Sequence, residues 1–196
     1  WDVICHDQPG AGYTVMPECD SNHLPINGRT ILIQSTCVVD DWIRARYPNR
    51  PIVRYGHSMG SFLALSLAKN NVNSDALILT GSTTEPVLLL HIQAVLIRTL
   101  GVVLGEKKPA KIAHAMSISP LNRPFKPSES KHDWISRMPS VLRQYGDDPL
   151  CGNVATWGFY YALNDCLKDM VTITDINLPP MLFITGEKDS LSKGGK

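Results

Sequence analysis

The chain has 196 residues, of which 43% are hydrophobic and 19% charged, and its formal net charge at pH 7 is +1. This length and composition are typical of a single globular domain with a hydrophobic core. A net charge so near zero gives no electrostatic reason to expect binding to nucleic acid or to an acidic lipid surface. The five cysteines include no C-x-x-C pair, which indicates reduced thiols in a cytoplasmic protein and no zinc site.

The N-terminal part of the chain begins with a β-type pattern and continues into a helical one. Apolar residues at 1–5 predict a short buried strand, and a turn rich in Pro and Gly follows at 6–12. Residues 13–29 have no periodic pattern and are predicted to form a loop. Residues 30–47 carry apolar side chains at spacings of three and four, which predicts an amphipathic helix that ends before Pro48.

Three further apolar runs predict strands at 51–55, 76–79 and 181–184, and an apolar helix is predicted at 59–69. Uninterrupted apolar strands that alternate with helices favour a parallel sheet covered on both faces. With the strand at 1–5, the predicted fold is an α/β structure with a mainly parallel sheet of about four strands.

A long segment separates the third and last predicted strands. A crossover between parallel strands needs only about a dozen residues, so residues 82–180 predict a helical insertion with a return helix. The core would then consist of residues 1–81 and 181–196. Because ligands bind at the carboxyl edge of such a sheet, the insertion is expected to cap the site. Helical patterns within it cover 87–104, 110–117, 139–145 and 154–170.

The pattern at 87–104 is almost long and apolar enough to span a membrane. Arg98 lies in its middle, where an arginine costs about 2.5–3.5 kcal/mol on insertion scales, and this disfavours a spanning helix. Two other interpretations remain open. The helix is either a plain buried helix or a cap helix whose apolar face lines a lipid pocket or contacts a membrane surface.

The strongest functional motif is the Gly-x-Ser-x-Gly sequence from Gly56 to Gly60, between a predicted strand and a predicted helix. This context predicts a nucleophile elbow that holds the Ser58 hydroxyl above the sheet. Both glycines are expected to be required, because a side chain at either would collide where strand and helix cross. The N–H of Met59, at the positive end of the helix, is expected to face an oxyanion. The alternative is a turn in which Ser58 only caps the helix.

A serine nucleophile also needs an acid and then a histidine base, in that chain order. Asp189 follows the last predicted strand in a Gly-x-x-Asp turn and is the candidate acid, the alternative being a solvated turn residue. All six histidines precede Asp189. His57 is expected to pack and form hydrogen bonds, and His6 to organise the turn at 6–12. We therefore expect an incomplete piece of a longer protein, inactive by itself, without the catalytic histidine and the first oxyanion loop.

Several motifs resemble one family. Gly-His-Ser-Met-Gly-Ser at 56–61, Asp-Gln-Pro-Gly-Ala-Gly at 7–12 and the segment at 178–189 are similar to the monoacylglycerol lipase and lysophospholipase group. This group is also described as serine aminopeptidase-like α/β-hydrolases. Segments similar to the cap of bacterial members lie at 122–125, 133–137 and 148–152.

This resemblance implies an α/β-hydrolase fold and cleavage of a carboxylic ester of a small lipid, such as a monoacylglycerol or a lysophospholipid. It assigns Ser58 as the nucleophile, Asp189 as the triad acid and the Met59 N–H as an oxyanion donor, with no cofactor and no metal. The expected partner is the lipid ester, with peripheral membrane contact through the cap. Acyl transfer and a non-catalytic scaffold that binds lipids or partners remain alternatives.

Overall fold

A computed structural model describes residues 2–15, 21–174 and 177–192 of the chain. The strands are β1 (Val53–His57), β2 (Ala76–Thr80) and β3 (Met181–Ile184). The helices are α1 (Gly28–Arg46), α2 (Met59–Lys69), α3 (Val87–Leu104), α4 (Lys111–Ser117), α5 (Pro139–Asp147) and α6 (Trp157–Val171). Short 3-10 helices lie at Gly12–Thr14 and Ser119–Asn122. The predictions for residues 1, 16–20, 175–176 and 193–196 lie outside the described residues.

The described strands form one parallel sheet in the order β1-β2-β3. His57 is opposite Thr80, and Thr80 is opposite Ile184, so the three strands end at the same level. Parallel pairing brings all the carboxyl ends to one edge of the sheet. The residues that follow the strands, including Ser58 and Asp189, therefore lie along that edge.

Helix α2 lies at the centre of the core. Ala64 and Leu65 pack against Leu77 and Leu79 of β2. The opposite side of α2 belongs to a second buried cluster, formed by Leu24, Leu32, Phe62, Leu63, Leu67, Leu90, Ala162, Cys166 and Leu167. Because α2 is enclosed by the sheet on one side and by other helices on the other, it is apolar on nearly its whole circumference.

The prediction that helices cover both faces of the sheet is wrong for the described residues. Leu77 and Leu79 are buried under α2, whereas Tyr55, on the other face, is 64% exposed. All four residues of β3 are also exposed. The reason is that α6 packs against α2, on the face of the sheet that α2 already covers.

The predicted strand at 1–5 is also wrong where it is described. Residues 2–5 are exposed and have no strand conformation. A strand needs a partner whose N–H and C=O groups pair with its own. The described sheet contains no pairing of residues 2–5 with β1, although Ile4, Ile52 and Val53 line one cavity of about 520 Å³. The described sheet therefore has three strands instead of about four.

The start of α6 is fixed to the loop that precedes α1. Thr156 is fully buried, and its hydroxyl donates to the carbonyl of Leu24 at 2.9 Å and accepts the N–H of Phe159 at 3.2 Å. A Cβ at Gly158 would lie 2.2 Å from the Leu24 carbonyl oxygen. Only glycine allows this close approach, so Gly158 and Thr156 together attach the end of the insertion to the core.

A buried ionic cluster joins α1, α2 and α6. The Asp169 carboxylate accepts hydrogen bonds from Arg29 and from the Ser66 hydroxyl, each at 2.6 Å, and lies 3.0 Å from the Lys69 ammonium. Burial alone would raise the pKa of Asp169, but hydrogen bonds from Ser66, Lys69 and Arg29 outweigh it and hold the pKa below its ordinary value. The cluster therefore stabilises the packing of three helices.

Replacing Asp169 by alanine is expected to lower the free energy of unfolding by about 2–3 kcal/mol, because it removes the anionic partner of Arg29 and Lys69 and leaves the buried Ser66 hydroxyl without its acceptor. Urea denaturation measures this change. The matched control is Asp165→Ala on the same helix, which removes a pair with Lys168 at 3.2 Å. That pair is closer to solvent, so we expect a loss of about 0.5 kcal/mol or less. Equal losses in the two variants would show that the cluster has no special role.

Asp133 organises the loop between α4 and α5. Its carboxylate accepts the Ser130 hydroxyl at 2.6 Å, the Ser130 N–H at 3.0 Å and the Glu129 N–H at 2.8 Å. The Ser130 hydroxyl is the main cause that lowers the pKa of Asp133 from 3.8 to about 2, with Ser128 also contributing. The ionised carboxylate therefore holds the loop together.

A carboxyl whose pKa is depressed in the folded state stabilises the fold above its unfolded pKa. The contribution of Asp133 should be fully present above pH 4 and be lost as the pH falls through about 2. NMR titration of the Asp133 carboxyl carbon measures this midpoint. In Ser130→Ala the midpoint should move upwards, and an unchanged midpoint would contradict the assigned cause.

Candidate active site

The Gly-x-Ser-x-Gly motif forms a sharp turn between β1 and α2. Strand β1 ends at His57 and helix α2 begins at Met59, so Ser58 is the one residue between them. Ser58 has φ 52° and ψ −121°, a conformation that residues other than glycine rarely adopt. Its N–H donates to the Thr80 carbonyl at 2.8 Å, and its own carbonyl accepts the N–H of Ser61 at 2.8 Å. This strained turn is the predicted geometry of a nucleophile elbow.

The two glycines of the motif have different surroundings. A Cβ at Gly56 would lie 2.4 Å from the Gly60 carbonyl oxygen, so no side chain fits there. A Cβ at Gly60 would have nothing within 4 Å among the described residues. The expectation that Gly60 is required for the same reason is therefore wrong here. The backbone carbonyl of Gly60 approaches Gly56 of the strand, whereas a Cβ on Gly60 would point away from the described residues.

Met59 occupies the first position of α2, an 11-residue helix. The first N–H groups of a helix have no acceptor within the helix, and the helix dipole makes this end positive. The Met59 side chain packs against the cluster around Leu67. This packing turns the side chain towards the core and leaves the backbone N–H at the turn, where it could stabilise an oxyanion.

Asp189 lies in the turn after β3. Its N–H donates to the Gly186 carbonyl at 3.0 Å, and its carboxylate accepts the N–H of Leu191 at 2.9 Å. The next residue, Ser190, donates to the carbonyl of Leu121 in the insertion at 2.8 Å. Because β2 lies between β1 and β3, Ser58 and Asp189 follow two strands that are not direct neighbours in the sheet. The structure brings both residues to the carboxyl edge of the sheet, and the described hydrogen bonds include none between them.

The histidines whose hydrogen bonds are described have partners other than Ser58 and Asp189. Nδ1 of His57 lies 2.8 Å from the Thr80 hydroxyl, which agrees with the predicted hydrogen-bonding role of His57. Nε2 of His6 lies 2.8 Å from the Gln8 amide in the turn at 6–12. In the insertion, the His91 ring forms a hydrogen bond with the Val87 carbonyl, and the His114 ring forms one with the Tyr160 hydroxyl.

Two residues beside the elbow were not identified from the sequence. The hydroxyl of the fully buried Ser61 donates a hydrogen bond to the Ser58 carbonyl at 2.6 Å, which holds the backbone of the turn in place. Gly81 follows β2 with φ 57°, and a Cβ there would lie 3.0 Å from the His57 ring. A glycine directly after an apolar strand is the sequence signal for Gly81. Ser61 ends the motif at 56–61, but the sequence does not show that its hydroxyl bonds to the Ser58 carbonyl.

Two cavities of the described part of the chain lie away from the elbow. The cavity of about 520 Å³ lies near the amino end of β1, and a second of about 200 Å³, lined in part by Ser74, lies near that of β2. Among residues 2–15, 21–174 and 177–192, no three His, Cys, Asp or Glu side chains could share a metal ion. The described cysteines are free thiols at Cys5, Cys37, Cys151 and Cys166, and Cys19 lies outside the described residues.

Solved structures with the same fold include esterases and lipases. One is a highly thermostable carboxyl esterase from Bacillus coagulans in complex with glycerol (TM-score 0.69, 17% identity, 82% of this chain and 53% of that chain). A lipase in its open form matches with TM-score 0.78 and 20% identity over 96% of this chain and 63% of that chain. The monoacylglycerol lipase of Paleococcus ferrophilus matches with TM-score 0.54 and 14% identity, over 89% of this chain and 60% of that chain.

These identities are low enough that the structures establish a common fold alone. The chain spans between 53% and 63% of their lengths. Comparison with curated protein sequences gives no match. The family model described as serine aminopeptidase, S33, matches residues 1–196, which is the whole chain. The chain therefore belongs to the serine aminopeptidase, S33, family of hydrolases, and its structure is a partial α/β-hydrolase fold.

Proposed function

We propose that the whole protein is a serine hydrolase that cleaves carboxylic esters of small lipids through an acyl-enzyme on Ser58. The observation that carries this proposal is the strained conformation of Ser58, with φ 52° between β1 and α2. Such strain is retained where it positions a reacting group. The same turn places the Met59 N–H beside the serine at a positive helix end.

In the proposed reaction the Ser58 oxygen attacks the acyl carbonyl carbon, and its proton passes to a histidine base. We assign none of the six histidines of this sequence as the base, because all of them precede Asp189. The N–H of Met59 stabilises the negative charge on the carbonyl oxygen, and Asp189 orients the base. The alcohol leaves with the proton, and water then attacks the acyl group and releases the acid, so that Ser58 is regenerated.

The proposed substrate class rests on the apolar start of α3. This helix leaves the carboxyl edge of the sheet after β2, on the same edge as Ser58. Val87, Leu88 and Leu89 at its first turn are all exposed and could contact an acyl chain near the nucleophile. The names of two structural neighbours, a carboxyl esterase and a monoacylglycerol lipase, also fit a small ester.

Labelling of the whole protein with a fluorophosphonate tests the role of Ser58. We expect one label per chain in the wild type and none in Ser58→Ala. Ser117→Ala is the matched control, since the Ser117 hydroxyl donates to the Ala113 carbonyl on exposed α4. It should label as the wild type does. Labelling that persists in Ser58→Ala would exclude Ser58 as the nucleophile.

A substrate panel separates ester hydrolysis from the peptidase activity that the family description suggests. We expect turnover of a monoacylglycerol or a lysophosphatidylcholine, and none of an aminoacyl arylamide. If only the arylamide is cleaved, the proposed substrate class is wrong. If Ser58 neither labels nor supports turnover, a scaffold that binds lipid without cleaving it becomes the better interpretation.

A further inference from the structure

The turn that carries Asp189 is attached to the insertion by a side-chain hydrogen bond. The Ser190 hydroxyl donates to the carbonyl of Leu121 at 2.8 Å. The other side-chain hydrogen bonds described for residues 185–192 stay within the turn itself. Among the described residues, Ser190 is therefore the side chain of this turn whose hydrogen bond reaches another part of the fold.

The strand before this turn gives it little support. Met181, Leu182, Phe183 and Ile184 of β3 are each between 40% and 56% exposed, and β3 lies at an edge of the described sheet. A segment with few buried apolar contacts opens locally at a small cost in free energy. Without the Ser190 bond, the described hydrogen bonds that connect the turn to the rest of the fold are those of the β3 backbone.

The acceptor of the Ser190 bond lies in a well-held part of the insertion. Leu121 is 9% exposed and belongs to the 3-10 helix that follows α4. The amide of the neighbouring Asn122 donates to the Ser130 carbonyl at 2.8 Å, and its Oδ1 accepts the Trp134 N–H at 3.0 Å. These bonds join the 3-10 helix to the loop before α5. The Leu121 carbonyl is therefore a fixed acceptor that can hold the turn in one position.

Two further hydrogen bonds orient Asp189 on either side of the Ser190 bond. The Asp189 N–H donates to the Gly186 carbonyl at 3.0 Å, and Oδ1 of Asp189 accepts the Leu191 N–H at 2.9 Å. A triad acid accepts the N–H of the histidine base on a carboxylate oxygen. Because Oδ1 is bonded within the turn, the direction of Oδ2 depends on where the turn itself is held.

We propose that Ser190 is a positioning residue for the triad acid. Its bond to the Leu121 carbonyl ties the insertion to the turn and sets the direction of the Asp189 carboxylate. This role rests on the proposed function, in which Asp189 orients a histidine base. A displacement of about 1 Å at a catalytic group can cost roughly 100-fold in rate. The insertion therefore helps to order the catalytic groups, in addition to any contact that it makes with the substrate.

Steady-state kinetics of the whole protein with a nitrophenyl ester test this role. Ser190→Ala should lower kcat by about 10- to 100-fold and change KM by less than about twofold, because the contacts with the substrate remain. The acidic midpoint of kcat/KM should also move to lower pH. The reason is that a carboxylate beside a histidine raises the pKa of the ring, and a displaced carboxylate raises it less.

Two variants control for the loss of a hydroxyl group. Ser190→Thr keeps the donor and should restore both kcat and the pH midpoint. Ser136→Ala removes a hydroxyl of the insertion that accepts the Met138 N–H at 3.1 Å, and it should behave as the wild type does. If Ser190→Ala keeps the wild-type pH midpoint, or if Ser190→Thr does not restore it, the positioning role is wrong.

Ser58→Ala and Asp189→Asn distinguish failure of this role from failure of the proposed function. Both should lower kcat by about 10⁴-fold. If they do and Ser190→Ala leaves the pH midpoint unchanged, the proposed function stands without the positioning role. If Asp189→Asn keeps its activity, the acid assignment and the role of Ser190 both fail. Should Ser190→Ala not fold, Asn122→Ala loosens the acceptor instead, and an unchanged pH midpoint there would overturn the proposal.

Discussion

Replacing Ser58 by alanine is expected to lower ester hydrolysis by the whole protein by about 10⁴-fold or more, because the proposed acyl-enzyme forms on this serine. The backbone of the elbow should persist, since Ser61, Thr80 and Gly56 hold the turn and none of their contacts uses the Ser58 hydroxyl. Initial rates with a nitrophenyl ester measure the loss, and circular dichroism verifies the fold. A loss below about tenfold would mean that another nucleophile carries the reaction.

The strain at Ser58 makes a second variant informative at the same position. Ser58→Gly should be as inactive as Ser58→Ala. Its free energy of unfolding should exceed that of Ser58→Ala by about 1–2 kcal/mol, because glycine adopts φ 52° without steric cost. The measurement is chemical denaturation of the two variants side by side. If Ser58→Gly is no more stable than Ser58→Ala, the elbow stores no strain.

Replacing Gly56 by alanine is expected to destabilise the protein by about 3 kcal/mol or more. The new Cβ would lie 2.4 Å from the Gly60 carbonyl oxygen, and backbone on both sides of the contact prevents an easy adjustment. Strand β1 and helix α2 would have to separate, which disrupts the packing of α2 on β2. We expect poor recovery of folded protein and a lower midpoint in thermal unfolding.

Gly60→Ala is the matched control for Gly56→Ala within the same motif. Nothing described lies within 4 Å of a Cβ at Gly60, and the residue is helical. Alanine in a helix is favoured over glycine by roughly 0.5–1 kcal/mol, so Gly60→Ala should fold at least as well as the wild type. If both variants are equally destabilised, glycine is required at both positions, which would contradict the structure, where only Gly56 lacks room for a side chain.

Local patterns in the sequence were sufficient to predict the elements around the site. The strand before Ser58 and the helix after it follow from adjacent apolar runs, and Asp189 follows from a turn directly after a strand. Parallel pairing then brings both to one edge of the sheet. The family matched by the whole chain agrees with the resemblance of these motifs.

The features that sequence reasoning missed depend on contacts between distant residues. Thr156 and Gly158 meet the loop at Leu24, more than a hundred positions earlier, and no local pattern signals this contact. Asp169 is one of several charged residues on α6, and only the fold shows that Arg29 and Ser66 surround it.

The strand predicted at 1–5 shows a different limit of sequence patterns. Its apolar residues suit a strand, but a strand also needs backbone pairing with a neighbour, and the described sheet contains no pairing of residues 2–5 with β1. The prediction that helices cover both faces of the sheet failed for a similar reason. Continuous apolar strands indicate burial, but they do not show which helices provide the cover.

The most direct test of the proposed function is mass spectrometry of the whole protein during turnover of a nitrophenyl ester. We predict one acyl group per chain, located by peptide mapping on the peptide that contains Ser58, and its loss on further incubation as water hydrolyses the intermediate. An acyl group on any other residue, or turnover in which no acylated protein forms, would contradict the assignment of Ser58 as the nucleophile.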